Sequence, residues 1–120
     1  MTRILFLLPL LACGEDTPQD SEDTVDTGAI DCETAVPVTW ANWADGFFSS
    51  YCRACHSVNT GDRYGAPEGV DFDSYEDAVQ WKERIRVRTL EMQDMPVGGG
   101  VYEEDLELLE VWLECALDDS

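Results

Sequence analysis

The stretch YCRACHS, residues 51 to 57, carries two cysteines spaced Cys-x-x-Cys, Cys52 and Cys55, followed at once by His56, the single histidine of the chain. Three chemistries use such a set. Cys-x-x-Cys-His is the attachment signature of c-type haem. Two thiols three residues apart at a helix end can each reach one vinyl group of a porphyrin and form thioethers, and the next residue then projects its imidazole at the iron. The same thiols can instead form a redox dithiol, or join His56 and a further cysteine, Cys32 or Cys115, around zinc. The dithiol reading lacks a surrounding βαβ pattern, and the zinc reading leaves Met95-Pro96 without a role.

The elements that must position these residues are helical. From Trp40 the apolar residues fall at Trp40, Trp43, Ala44, Phe47, Phe48 and Tyr51, spaced i, i+3, i+4, i+7, i+8. Thr39 can cap this helix, which leads directly into Cys52. Residues 57 to 73, rich in Gly, Pro, Asn and Asp, read as loop. A second helix is expected from the N-cap Ser74, marked by Ala78, Val79, Trp81, Ile85 and Leu90 and ending by Asp94 or Met95, since Pro96 disfavours helix in the residue before it. Gly98-Gly99-Gly100 makes a turn. The last helix, about Glu103 to Leu117, has Leu106, Leu109, Leu113 and Ala116 on one face with Trp112 beside them. No alternating β-branched run is present. The fold class is small and all-α, with three to four helices.

Composition bounds the function. With 26 acidic and 7 basic residues the net charge is −19, which argues against nucleic acid as a partner, because phosphate binding needs Lys and Arg. A charge-steered partner should present a basic face. At the N-terminus, MTRILFLLPLLAC has one Arg before an apolar run too short to span a bilayer but suited to a secretory signal. Its end, Leu10-Leu11-Ala12-Cys13, resembles the lipobox of bacterial lipoproteins, although Leu11 departs from the commoner small residue. That resemblance implies a signal peptide over 1–12, lipid on Cys13 and an exported protein anchored to a bacterial membrane. The acidic residues that follow Cys13, up to residue 31, have no aromatics and too little apolar area to offset their ordering entropy, so they read as a disordered tether.

From Cys32 to residue 120, and most strongly over 40–56 and 92–117, the chain resembles the small class I cytochromes c. Ala44 and Phe48 stand where that family has a small residue and a Phe two turns and one turn before its first haem cysteine. Leu109 and Trp112 match the aliphatic and aromatic pair of its C-terminal helix, so the resemblance implies crossing terminal helices. It also implies one covalent haem c on Cys52 and Cys55, with His56 and Met95 as axial iron ligands. Met95-Pro96 matches the family's Met-Pro step, and Met92 is the competing sulfur. Pro67 matches a loop proline whose carbonyl accepts from the haem histidine. With the terminal helices crossing, Cys32 and Cys115 can approach and form a disulfide in an oxidising compartment. More narrowly, the chain looks like short exported cytochrome-c-like lipoproteins with a Met-Pro and glycine turn before the last helix.

Four of the six basic residues after the signal lie in KERIRVR, at Lys82, Arg84, Arg86 and Arg88. They can neutralise haem propionates, form a docking patch, or simply pair with Glu83, Glu91 and nearby acids. The expected function is a membrane-tethered monohaem electron carrier rather than an enzyme, exchanging electrons with a redox protein. Alternatives are a haem-based sensor in which Met95 is displaced by a small gas, and a haem-free thiol-redox or zinc-binding lipoprotein.

Overall fold

The structure, a computed structural model, describes residues 29 to 115. The signal segment, Cys13, most of the acidic tether and the last five residues lie outside the described residues. Within them the chain is helical and contains no strand, as an all-α fold requires.

The first helical stretch opens with a wide, π-helical turn, Trp40–Ala44, and continues as α1, Asp45–Tyr51. Thr39 caps it reciprocally with Asn42. Thr39 Oγ1 accepts from the Asn42 N–H at 3.1 Å, while Asn42 Oδ1 accepts from the Thr39 N–H at 2.7 Å. The Ala44 N–H reaches back five residues to the Thr39 carbonyl at 3.0 Å, and this opens the turn. The helix runs into Cys52, as its spacing predicts.

The single second helix expected after Ser74 is instead three pieces. Helix α2, Tyr75–Gln80, is capped by Ser74, whose Oγ accepts from the Asp77 N–H at 3.2 Å. At Trp81 the backbone leaves helical values (φ −103°, ψ 11°). It resumes as α3, Lys82–Ile85, and widens into a π-helical turn, Arg86–Glu91. The break puts Trp81 into the wall of a cleft rather than on a helix face. After Glu91 the chain folds back, and the N–H groups of Asp94 and Met95 both donate to the Arg88 carbonyl, at 3.0 and 3.2 Å. The Met95-Pro96 peptide is cis. Gly98, Gly99 and Gly100 all have positive φ (87°, 71° and 89°), a run open only to glycine without strain. Helix α4 then spans Glu103–Cys115, with Glu103, Glu104 and Asp105 at its positive end.

The core forms where α1 meets α4. Ala44, Phe48, Leu109 and Trp112 are at most 1 % exposed. Phe48 packs edge-on against Trp112 at 5.5 Å between ring centroids, and Trp40 lies 5.6 Å from Phe48 and 6.1 Å from Trp112. The Tyr51 hydroxyl donates to Asp105 Oδ2 at 2.7 Å, which ties the end of α1 to the start of α4. A disulfide joins Cys32 to Cys115 with their Cα atoms 5.4 Å apart, so it fastens the segment before the first helical turn to the last turn of α4. Among the described residues no helix is long and apolar enough to cross a membrane.

Candidate functional site

The chain leaves α1 by tightening into a turn. Cys52 and Arg53 both donate from their N–H groups to the Phe48 carbonyl, at 3.0 and 2.9 Å. The Cys52 carbonyl then accepts from Cys55 and His56, at 3.2 and 2.9 Å. Cys52, Cys55 and His56 therefore belong to one compact turn. Cys52 and Cys55 are both free thiols and half-buried. Burial pushes the Cys52 thiol up to about 12, against which the neighbouring Arg53 charge works only weakly. A nucleophilic dithiol needs its thiolate favoured, so Cys52 is placed for the opposite behaviour.

His56 is held from three directions. Its Nδ1 lies 2.8 Å from the Val70 carbonyl, its own carbonyl accepts from the Phe72 N–H at 3.0 Å, and the Phe72 ring is 5.0 Å from the imidazole. A carbonyl can only accept, so Nδ1 carries the proton and the Nε2 lone pair is left to bind a metal. This corrects the expected role of Pro67. The acceptor for His56 is Val70, and the Pro67 carbonyl takes the Arg63 guanidinium at 2.7 Å instead.

Arg63 organises the loop that supplies this acceptor. Its three nitrogens donate to the carbonyls of Ala66 (3.2 Å), Ser57 (2.9 Å), Pro67 (2.7 Å) and Val70 (3.3 Å). Its Nη1 also pairs with buried Asp71 at 2.7 Å. Ser57 and Val58 are fixed in turn by Asp73, which accepts from Ser57 Oγ at 2.6 Å and from the Val58 N–H at 2.9 Å. Arg53 closes the base, donating to the Phe72 carbonyl at 2.7 Å and to Asp45 at 2.6 Å.

Facing this turn is a cleft of about 430 Å³, within the size range of small-molecule and cofactor sites. Its wall includes Tyr51, Cys52, His56, Val70, Phe72, Trp81 and Ile85, and from later in the chain Thr89, Met95 and Pro96. Met95 is half-buried and lines the cleft. Met92 is 60 % exposed and does not line it. Pro67 lines the cleft without reaching His56. Arg84 and Arg88 line it as well. Of the KERIRVR cations, Arg86 pairs with Glu114 and Arg88 with Asp94, rather than with Glu83 or Glu91.

Cys32 and Cys115, the cysteines a zinc site would need, are consumed in the disulfide. Among the described residues no three His, Cys, Asp or Glu side chains converge as a metal ion would require. Two donors that a porphyrin iron would need, His56 and Met95, line the same cleft. Val70, Arg63 and Asp71 escaped the sequence reading. A backbone acceptor has no residue-type signature, and the only hint of Arg63 was a lone cation in an otherwise acidic loop. No protein family, curated protein or solved structure matches the chain.

Proposed function

We propose that the protein is an exported, membrane-tethered carrier of single electrons, its helical domain a small cytochrome c-like fold around one covalently attached haem c. The observation that carries this reading is one apolar cleft lined by the lone histidine, by Met95 and by Cys52, with Cys55 in the same turn. The donor set suits iron in a porphyrin. A neutral imidazole and a soft, neutral thioether add no charge beside the metal, and thioether ligation favours the reduced state. Haem bound there supplies reversible one-electron chemistry at its iron.

The chain's own residues do the rest. Cys52 and Cys55 would anchor the group through thioethers. His56 is fixed in orientation by the Val70 carbonyl on its second nitrogen. Phe72, Trp81 and Ile85 keep water from the cleft wall. His56 and Met95 would both hold the iron and leave the cleft to electron exchange, so the protein is read as a carrier and not an enzyme. The lipid anchor on Cys13 and a redox partner with a basic docking face rest on the sequence and its charge.

The test is export of the full chain in a bacterial host competent for c-type haem maturation, followed by a haem-peroxidase stain of a denaturing gel. The expected result is a stained band at the mature size, absent from a Cys52→Ala/Cys55→Ala variant, and a lowered midpoint potential in Met95→Ala. Colourless wild-type protein would end the reading. Rapid carbon monoxide binding to the reduced wild type would turn it from carrier to small-ligand sensor.

A further inference from the structure

Val70 offers one carbonyl to two donors. The His56 Nδ1–H reaches it at 2.8 Å and the Arg63 Nη2–H at 3.3 Å. Arg63 gives further N–H bonds to the carbonyls of Ser57, Ala66 and Pro67. Its counter-ion, Asp71, lies 2.7 Å from Nη1, yet the buried Asp71 Oδ1 receives no well-aligned hydrogen bond. Asp71 therefore balances the charge of Arg63, while the directed bonds of the guanidinium go to the loop. An oxygen that already faces a cation accepts less strongly from a second donor, because the cation draws on the same lone-pair density. Arg63 thus bears on His56 through a single oxygen atom, although it does not line the cleft.

We infer that Arg63 is a positioning residue that sets the reduction potential of the group held by His56. The inference rests on the haem reading. Hydrogen bonding around an axial ligand is one of the levers a protein has on haem iron. The further the Nδ1–H is drawn toward its acceptor, the more electron density Nε2 would pass to the metal, which favours the oxidised state. By occupying part of the Val70 oxygen, Arg63 restrains that transfer and holds the potential up. Among the described residues no other side-chain cation bonds to this carbonyl. Arg53 donates to Phe72 and Asp45, and Arg86 and Arg88 pair with Glu114 and Asp94. The loop carboxylates act elsewhere, Asp71 on Arg63 and Asp73 on Ser57 and Val58.

The experiment compares the haem-loaded full chain with two variants. Arg63→Gln/Asp71→Asn leaves the net charge unchanged and strands no carboxylate, and Arg63→Lys keeps the cation but loses the fork. Two quantities are read: the midpoint potential at fixed pH and salt, and, in the reduced state, the proton NMR position of the His56 Nδ1–H. The double variant should have a lower potential and a downfield-shifted Nδ1–H, because the Val70 oxygen then serves His56 alone. Arg63→Lys should move both in the same direction by less. A resonance that stays in place or moves upfield would make Arg63 a brace of the loop alone and overturn the inference, whatever the potential does. A haem-loaded double variant with the wild-type potential would overturn it too and leave the carrier reading intact. Wild-type protein that takes up no haem would overturn both. Should the double variant fail to load, an Arg63→Lys variant indistinguishable from wild type in both readouts overturns the inference by itself.

Discussion

Arg63 is the residue on which the candidate site leans most, because it braces the same Val70 carbonyl that faces His56. Its side chain is 18 % exposed and that of its partner Asp71 11 %. Arg63→Gln strands a nearly buried carboxylate and leaves four carbonyls with a weaker donor. Loss of one member of a buried pair costs about 3 kcal/mol, and that loss is expected in urea unfolding, with little rescue by Lys, whose single ammonium cannot span the carbonyls. A cost near zero would mean the loop holds its shape without the arginine. Asp73 adds a pH dependence. Burial works to raise its carboxyl, but the Ser57 and Val58 hydrogen bonds and the charges of Arg53 and Arg63 outweigh it and hold the group below the usual carboxylate range. A folded value below the unfolded one stabilises in full above the unfolded value and is lost as pH falls through the folded one. Asp73→Asn should therefore be less stable than wild type at neutral pH and converge with it in acid. Parallel stability curves down to acid would show that its ionisation contributes nothing.

At the level of elements, the pairing of α1 with α4 was legible in the sequence, because it rests on side chains at strict helical spacing. Ala44, Phe48, Leu109 and Trp112 all reached the core, and Cys32 bonds Cys115 as the crossing of terminal helices implied. The middle was not legible. The apolar marks from Ala78 to Leu90 are looser than one helix face, and no Gly or Pro announces the break at Trp81, whose side chain lines the cleft. The acceptor for His56 escaped for a similar reason, since a carbonyl is placed by loop geometry and not by residue type. Glycine offers a contrast that tests the backbone reading. Gly46 in α1 and Gly99 in the turn before α4 both have open space where a Cβ would go, but only Gly99 has positive φ. Gly46→Ala should stabilise by about 0.5–1 kcal/mol, and Gly99→Ala should destabilise by about 1–2 kcal/mol. Thermal or urea unfolding of the two variants reads both signs. A stabilised Gly99→Ala would mean the turn takes another conformation in solution.

At the scale of the whole molecule, on the carrier reading proposed above, two charge distributions act on an incoming redox partner, and they differ in sign. The chain as a whole carries −19, while the described wall of the cleft holds Arg84 and Arg88. Salt separates them, because the Debye length falls from about 30 Å at 0.01 M to about 3 Å at 1 M. At low salt the distant acidic field is felt, so a small cationic one-electron reagent should react faster than an anionic one of similar potential. At high salt only groups beside the cleft matter. If the arginines were bare, the anionic reagent would then overtake the cationic one. If their charge is met by the carboxylate edge of a bound haem, the two rates should converge without crossing. Stopped-flow rates of the haem-loaded protein with such a matched pair, measured across this salt range, distinguish the cases. Convergence is the expected outcome, and an anionic advantage already at low salt would mean that the acidic surface does not face the cleft and that the natural partner need not be basic.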